Sequence, residues 1–155
     1  MLEYIYTLKD SPASVFWVHA GSKARFEEDY RKLAKLVGLP ECDDPKQDIR
    51  PIVKDWFESP KSGDWILVLD NVDNKADFFP EGGLAQFIPR GKQGTVIMTT
   101  RDLRLANQLA DSNVLFKDMM EAAQAEQLFT RRYPAASRHG HESIFQQLNA
   151  TSQRH

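Results

Sequence analysis

Apolar positions recur along this chain at two spacings, and each change of spacing marks a new element. Val15-Phe16-Trp17-Val18, Trp65-Ile66-Leu67-Val68-Leu69 and Thr95-Val96-Ile97-Met98-Thr99 are short, nearly continuous apolar runs. Their β-branched and aromatic content predicts strands buried on both faces. Between them the spacing becomes helical. Phe26, Tyr30, Leu33, Ala34 and Val37 predict a helix opened by Ser22 and stopped by Gly38. Ile49, Ile52, Val53, Trp56 and Phe57 predict a second helix. Asp44 is its candidate cap, Pro45 falls in its first turn, and Pro51 marks a kink or a later start.

Leu2, Ile5, Tyr6 and Leu8 predict a short helix stopped by Asp10-Ser11-Pro12. Residues 74–93 hold three glycines and two prolines, so they predict a loop with short helical pieces. A helix is expected over 102–110, a short strand at Val114-Leu115-Phe116, and a helix over 121–132 carrying Ala122, Ala125, Leu128 and Phe129. A last helix, over 141–149, precedes a polar tail. Strands alternating with helices predict an α/β protein with an open, doubly wound parallel sheet and helices on both faces.

Composition narrows the functional classes. The chain has 155 residues, 41% of them hydrophobic and 27% charged, which suits a single globular core. Basic residues are scattered and the net charge is -2, so nucleic acid is not an expected partner. No apolar run approaches the ~20 residues that cross a bilayer, so no membrane contact is expected. Cys42 is the only cysteine, which excludes an internal disulfide, and no secretory signal opens the chain. A reducing, cytoplasmic location is the expectation.

In a parallel α/β sheet, ligands bind beyond the carboxyl ends of the strands. Two candidate groups fall there. Asp70 ends the 65–69 run, where a carboxylate can hold magnesium and the ion can bridge nucleotide phosphates. Asn71 beside it can orient a water but cannot accept its proton. Asp73 can polarise water or cap the helix that follows. At the end of the next strand, Thr100 and Arg101 follow Thr99, and a guanidinium there can contact a terminal phosphate. The same residues also suit turn and cap chemistry, because Asp favours strand ends and Thr-Arg-Asp can cap the 102–110 helix. The order of the pair on consecutive strands favours the binding reading.

Other groups carry less. Gly21-Ser22-Lys23 lacks the upstream glycine of a phosphate loop, and Gly91-Lys92 is followed by Gln93. His19 ends the first strand as a core or edge histidine. His139 and His141 have no acid or cysteine near them in sequence to complete a metal site, and Cys42 has no adjacent base.

Ser14 to Ala20 with Arg25-Phe26-Glu27, Trp65 to Asp73, and Val96 to Asp102 together resemble the NB-ARC nucleotide-binding domain, in the version found in fungal NOD-like receptors. That family belongs to the STAND P-loop switch ATPases and is associated with innate immunity and heterokaryon incompatibility. The resemblance spans residues 2–132. It implies a Walker B strand ending at Asp70, a sensor strand ending at Arg101, and a helical subdomain starting near Met119. It therefore implies a partial NB-ARC domain over 1–118 and the start of the helical subdomain with a polar tail over 119–155.

ADP or ATP with magnesium is the implied cofactor. Asp70, Asn71, Thr100 and Arg101 are the implied binding residues, Asp70 the metal ligand and Asp73 the catalytic candidate. Residues 2–9 resemble the end of the helix that follows the family's phosphate loop, so loop and first strand would precede Met1. Asn71 stands where the family has a second acid, and no Gly-Leu-Pro-Leu-like motif follows Phe129. The family's strand order further implies that strands 15–19, 65–70 and 95–100 pair, while 114–117 flanks a gap or packs poorly. An edge left open there invites another chain, such as another NB-ARC chain, or instability.

Three functions fit. The first is a partial ADP/ATP switch domain with weak or no nucleotide binding, and no activity, by itself. The second is a non-catalytic interaction or regulatory module. The third is a receiver-like phosphoacceptor using Asp70, Thr99 or Thr100, and Lys117, although His19-Ala20 replaces the acidic pair that fold needs.

Overall fold

The computed structural model describes residues 11–40, 44, 46–110, 113–118 and 120–132. They fall into two compact units, 1–114 and 115–155. In the first unit β1 (Ser14–His19) is followed by helices α1 (Lys23–Leu36) and α2 (Ile49–Glu58). Next come β2 (Trp65–Asp70), the single-turn helix α3 (Lys75–Phe78), β3 (Gly94–Met98) and α4 (Leu103–Ala110). Short 3-10 turns lie at Pro60–Ser62 and Leu84–Phe87.

Local chemistry sets the helix ends. Ser22 accepts a hydrogen bond from the Arg25 N–H, and Gly38 takes φ 73°, a left-handed conformation that glycine adopts without a Cβ penalty. Asp48, rather than Asp44, caps α2 by accepting from the Arg50 N–H at 3.1 Å. Asp44 accepts from Lys46 N–H in a tight turn instead. The later start puts Pro51 in the first helical turn, where no N–H has an intrahelical partner, so the proline is accommodated.

The three strands are parallel in the order β1-β2-β3. Phe16 pairs with Leu67 and Leu67 with Val96, while Val18, Leu69 and Met98 form the next row. These rows share one face of the pleat. Against that face pack Phe26, Tyr30 and Leu33 of α1, Val53 and Phe57 of α2, and Leu105 of α4, in a single cluster. Successive strands step in one direction across the sheet, so right-handed crossovers carry every connecting helix to the same side. Among the described residues, the helices of this unit thus feed one core. The opposite face carries Val15, Trp17, Ile66, Val68 and Ile97; Val68 is fully buried there although it lies outside the cluster. The helix expected over 2–9 lies outside the described residues.

Trp65 anchors the start of β2 by donating its indole N–H to the Phe57 carbonyl at 2.9 Å. Its ring lies over Gly94 on the neighbouring strand, where any Cβ would collide with it. A glycine begins β3 for that reason.

Residues 113–118, which run across the boundary of the two units, contain no hydrogen-bonded strand, contrary to the strand expected at 114–116. A strand needs a partner to take its backbone groups, and residues 114–118 pair with no strand among the described residues. Leu115 and Phe116 are 98% and 74% exposed. Helix α5 (Ala122–Arg132) matches the expected 121–132 helix but buries none of its residues. The helix expected over 141–149, Met119, Cys42, His139 and His141 lie outside the described residues.

Candidate functional site

Backbone pairing brings the two candidate groups together at the carboxyl end of the sheet. The Thr99 N–H donates to the Leu69 carbonyl at 3.0 Å, and the Val72 N–H to the Thr99 carbonyl at 2.8 Å. The loops leaving β2 and β3 therefore run side by side. Val72 is fully buried between the polar residues Asn71 and Asp73 and pins its loop to the core.

Thr99 lies level with Asp70. Its hydroxyl donates to Asp70 Oδ1 at 2.6 Å, and its Oγ1 accepts the Asn71 N–H at 2.9 Å. Asn71 is the one non-glycine residue with positive φ (61°) among the described residues, a conformation asparagine tolerates better than most. This left-handed residue turns the chain so that Asp73 N–H reaches back to the Asn71 carbonyl at 2.8 Å. The Asp70 carboxylate is half-buried and keeps one oxygen clear of the threonine. An acid held through one oxygen with the other open is a suitable ligand for a hard divalent cation.

Asp73 is occupied differently. Its Oδ1 accepts the Arg101 N–H at 2.8 Å and the Thr100 hydroxyl at 3.3 Å, while its Oδ2 takes the Arg101 guanidinium. Nε and Nη2 both lie 2.8 Å from that oxygen. Partial burial works against ionisation of Asp73, but the Arg101 N–H, the guanidinium and the Thr100 hydroxyl outweigh it and hold the carboxyl below the usual carboxylate range. Asp73 does not cap α3; Asn74 does, accepting from the Ala76 N–H at 3.2 Å. Thr100 accepts the Asp102 N–H, and Asp102 caps α4 through the Arg104 and Leu105 N–H groups. Capping and site chemistry are thus shared between neighbours: Asp102 serves the helix, leaving Thr100 and Arg101 to face Asp73.

One pair was legible only as an isolated histidine. His19 closes β1 level with Asp70, and its N–H and Nδ1 both donate to Asp29 Oδ2, at 3.0 and 2.8 Å. Lys32 reaches the other oxygen of Asp29 at 3.0 Å. Partial burial raises the Asp29 pKa, but its His19 and Lys32 contacts together bring it below the ordinary value. The dyad seals the outer edge of β1 at its last residue. Among the described residues there is no cluster of three or more His, Cys, Asp or Glu side chains able to hold a metal alone, so a cation at Asp70 would need ligands beyond protein carboxylates.

The chain is 25% identical over 139 residues to a nucleotide-binding leucine-rich repeat (NLR)-like protein of Hyaloscypha variabilis. The match takes in 82% of this chain and 14% of that protein, so the chain spans about a seventh of its relative's length. This chain is thus related in sequence to an NLR-like protein. No protein-family profile matches the chain, and no solved structure matches it. Among the described residues no helix is long and apolar enough to cross a membrane.

Proposed function

We propose that this NLR-related chain is part of an NB-ARC-type ADP/ATP switch domain that binds nucleotide weakly or not at all by itself. The observation that carries this reading is the side-by-side pairing of the β2 and β3 loops. It sets a half-open acid, Asp70, next to the Thr100-Arg101 pair at the ligand-binding end of a parallel sheet. Asp70 would hold magnesium through its free oxygen, with Thr99 fixing the carboxylate's orientation. Arg101 would meet the terminal phosphate, and Asn71 would orient water. The bound nucleotide and ion would supply phosphate charge and Lewis acidity. Asn71 beside Asp70 is neutral, and in this structure Asp73 is held on Arg101 rather than poised as a base. The division into 1–118 and 119–155 belongs to the same reading, as does a cytoplasmic location.

Backbone amides and the lysine of a phosphate loop supply most phosphate contacts in such sites. Calorimetric titration of residues 1–155 with Mg·ADP and Mg·ATP should therefore show no micromolar binding. Fusing a strand and phosphate loop ahead of residue 1 should create binding that Asp70→Ala strips of its magnesium dependence. Micromolar binding by the unfused chain, or magnesium dependence surviving Asp70→Ala, would defeat the proposal.

A second reading, a non-catalytic interaction module, is favoured by the outer edge of β3. Thr95, Ile97 and Thr99 turn their backbone groups to β2, which follows from the Thr99 N–H bond to Leu69. Gly94, Val96 and Met98 therefore point theirs away, and none has a backbone partner among the described residues. A strand from another NB-ARC chain would complete that edge. The phosphoacceptor reading loses its third element, because Lys117 stands on no strand end.

A further inference from the structure

Arg101 is the group that the nucleotide reading assigns to a terminal phosphate, yet its guanidinium already has an anion. Its Nε and Nη2 edge, the side-on fork that matches an oxyanion, is filled by Asp73 Oδ2 at 2.8 Å from each nitrogen. We propose that Asp73 is an internal competitor for Arg101, a carboxylate latch that a phosphate oxyanion must displace before the arginine can bind it. Only the identity of the oxyanion rests on the nucleotide reading.

Three features give the pair the properties of a latch. The Arg101 side chain is 90% exposed, so nothing but Asp73 fixes it and it can swing away at small cost. Asp73 is 22% exposed and is anchored independently of the guanidinium. Its Oδ1 holds the Arg101 N–H and the Thr100 hydroxyl, so the loops remain tied when the side chain leaves. Finally, the acid free for a cation is Asp70 and the acid on the arginine is Asp73, so opening the latch leaves the Thr99–Asp70 contact undisturbed. An exposed ion pair sustains only a modest population ratio, so the closed latch lowers apparent anion affinity about fivefold rather than blocking it.

The test uses the 155-residue chain and inorganic tripolyphosphate without magnesium. Asp73→Asn should raise tripolyphosphate affinity about fivefold, and adding Arg101→Gln should abolish the gain. Asp77→Asn removes a nearby carboxylate whose Oδ2 is held by Asn74 rather than Arg101, and should give a clearly smaller change. An unchanged affinity in Asp73→Asn, no detectable binding by that variant, or an equal gain in Asp77→Asn would each overturn the latch. Should Asp73→Asn fail to fold, NMR of the wild type decides. Tripolyphosphate must then move the Arg101 Nε–H and the Asp73 carboxyl-carbon resonances together, and a shift of Arg101 alone overturns the proposal. The fivefold gain should survive Asp70→Ala. A gain that persists while the loop-fused chain fails to bind Mg·ADP removes the nucleotide reading and leaves the latch standing.

Discussion

Single residues in this chain carry tasks that their neighbours cannot take over. Gly94 lies under the Trp65 ring, and a methyl there must displace a side chain that is 1% exposed and hydrogen-bonded to Phe57. Gly94→Ala should cost about 1–3 kcal/mol in urea-induced unfolding, the range seen for overpacking a core. Tyr30 is likewise specific: its hydroxyl donates to the Phe87 carbonyl at 3.0 Å, and burial pushes the phenol far above its usual range. Tyr30→Phe leaves that carbonyl unpaired and should lose about 1–3 kcal/mol in the same assay. Asp29, Asp48 and Asp73 all have carboxyls held below their ordinary pKa by hydrogen bonds and cations. Each stabilises the fold above the unfolded-state value near 3.8 and ceases to do so as pH falls through the lower folded-state value. Urea midpoints should thus be flat on this account near neutrality and fall below about pH 4. Replacing Asp73 by Asn should remove part of that fall.

At the scale of elements, the two edges of the sheet are finished differently. On β1, the Asp29 carboxylate takes the His19 N–H that would otherwise point outward, and α1 supplies that carboxylate. On β3, no side chain among the described residues does the same for Gly94, Val96 and Met98. Amide hydrogen exchange should separate the strand by alternate residues, with Val96 and Met98 exchanging much faster than Ile97 and Thr99. Equal protection at all four would mean that the outer edge of β3 is covered. The helices were readable because caps and periodicity are local: Ser22 and Gly38 bracket α1 in sequence as in space. The start of α2 was not, because Asp44 and Asp48 are both good caps and only the packing of Ile49 and Val53 against the core selects the second.

For the folded unit as a whole, the decisive fact is that β1, β2 and β3 lie in sequence order. One-directional stepping commits α1 and α2 to one face, Leu105 brings α4 to the same core, and Val15, Trp17, Ile66, Val68 and Ile97 are left for some other cover. Val68 is completely buried on that second face. Val68→Asp should therefore destabilise strongly, by more than about 3 kcal/mol on thermal or urea unfolding, as expected for an unpaired buried charge. A cost under about 0.5 kcal/mol, the ordinary range for surface positions, would show that this face is open to water.

The sequence by itself determined the three apolar strands, the helices between them and the placement of Asp70 and Arg101 at strand ends. Those features depend on periodicity and on residues adjacent in the chain. Tertiary structure alone decided the partners. That Thr99 would bind Asp70, that Asp73 would hold Arg101 instead of capping a helix, and that His19 would bond Asp29 all depend on strand register and crossover direction. Both bring together residues 10 to 29 positions apart, and no local pattern records them.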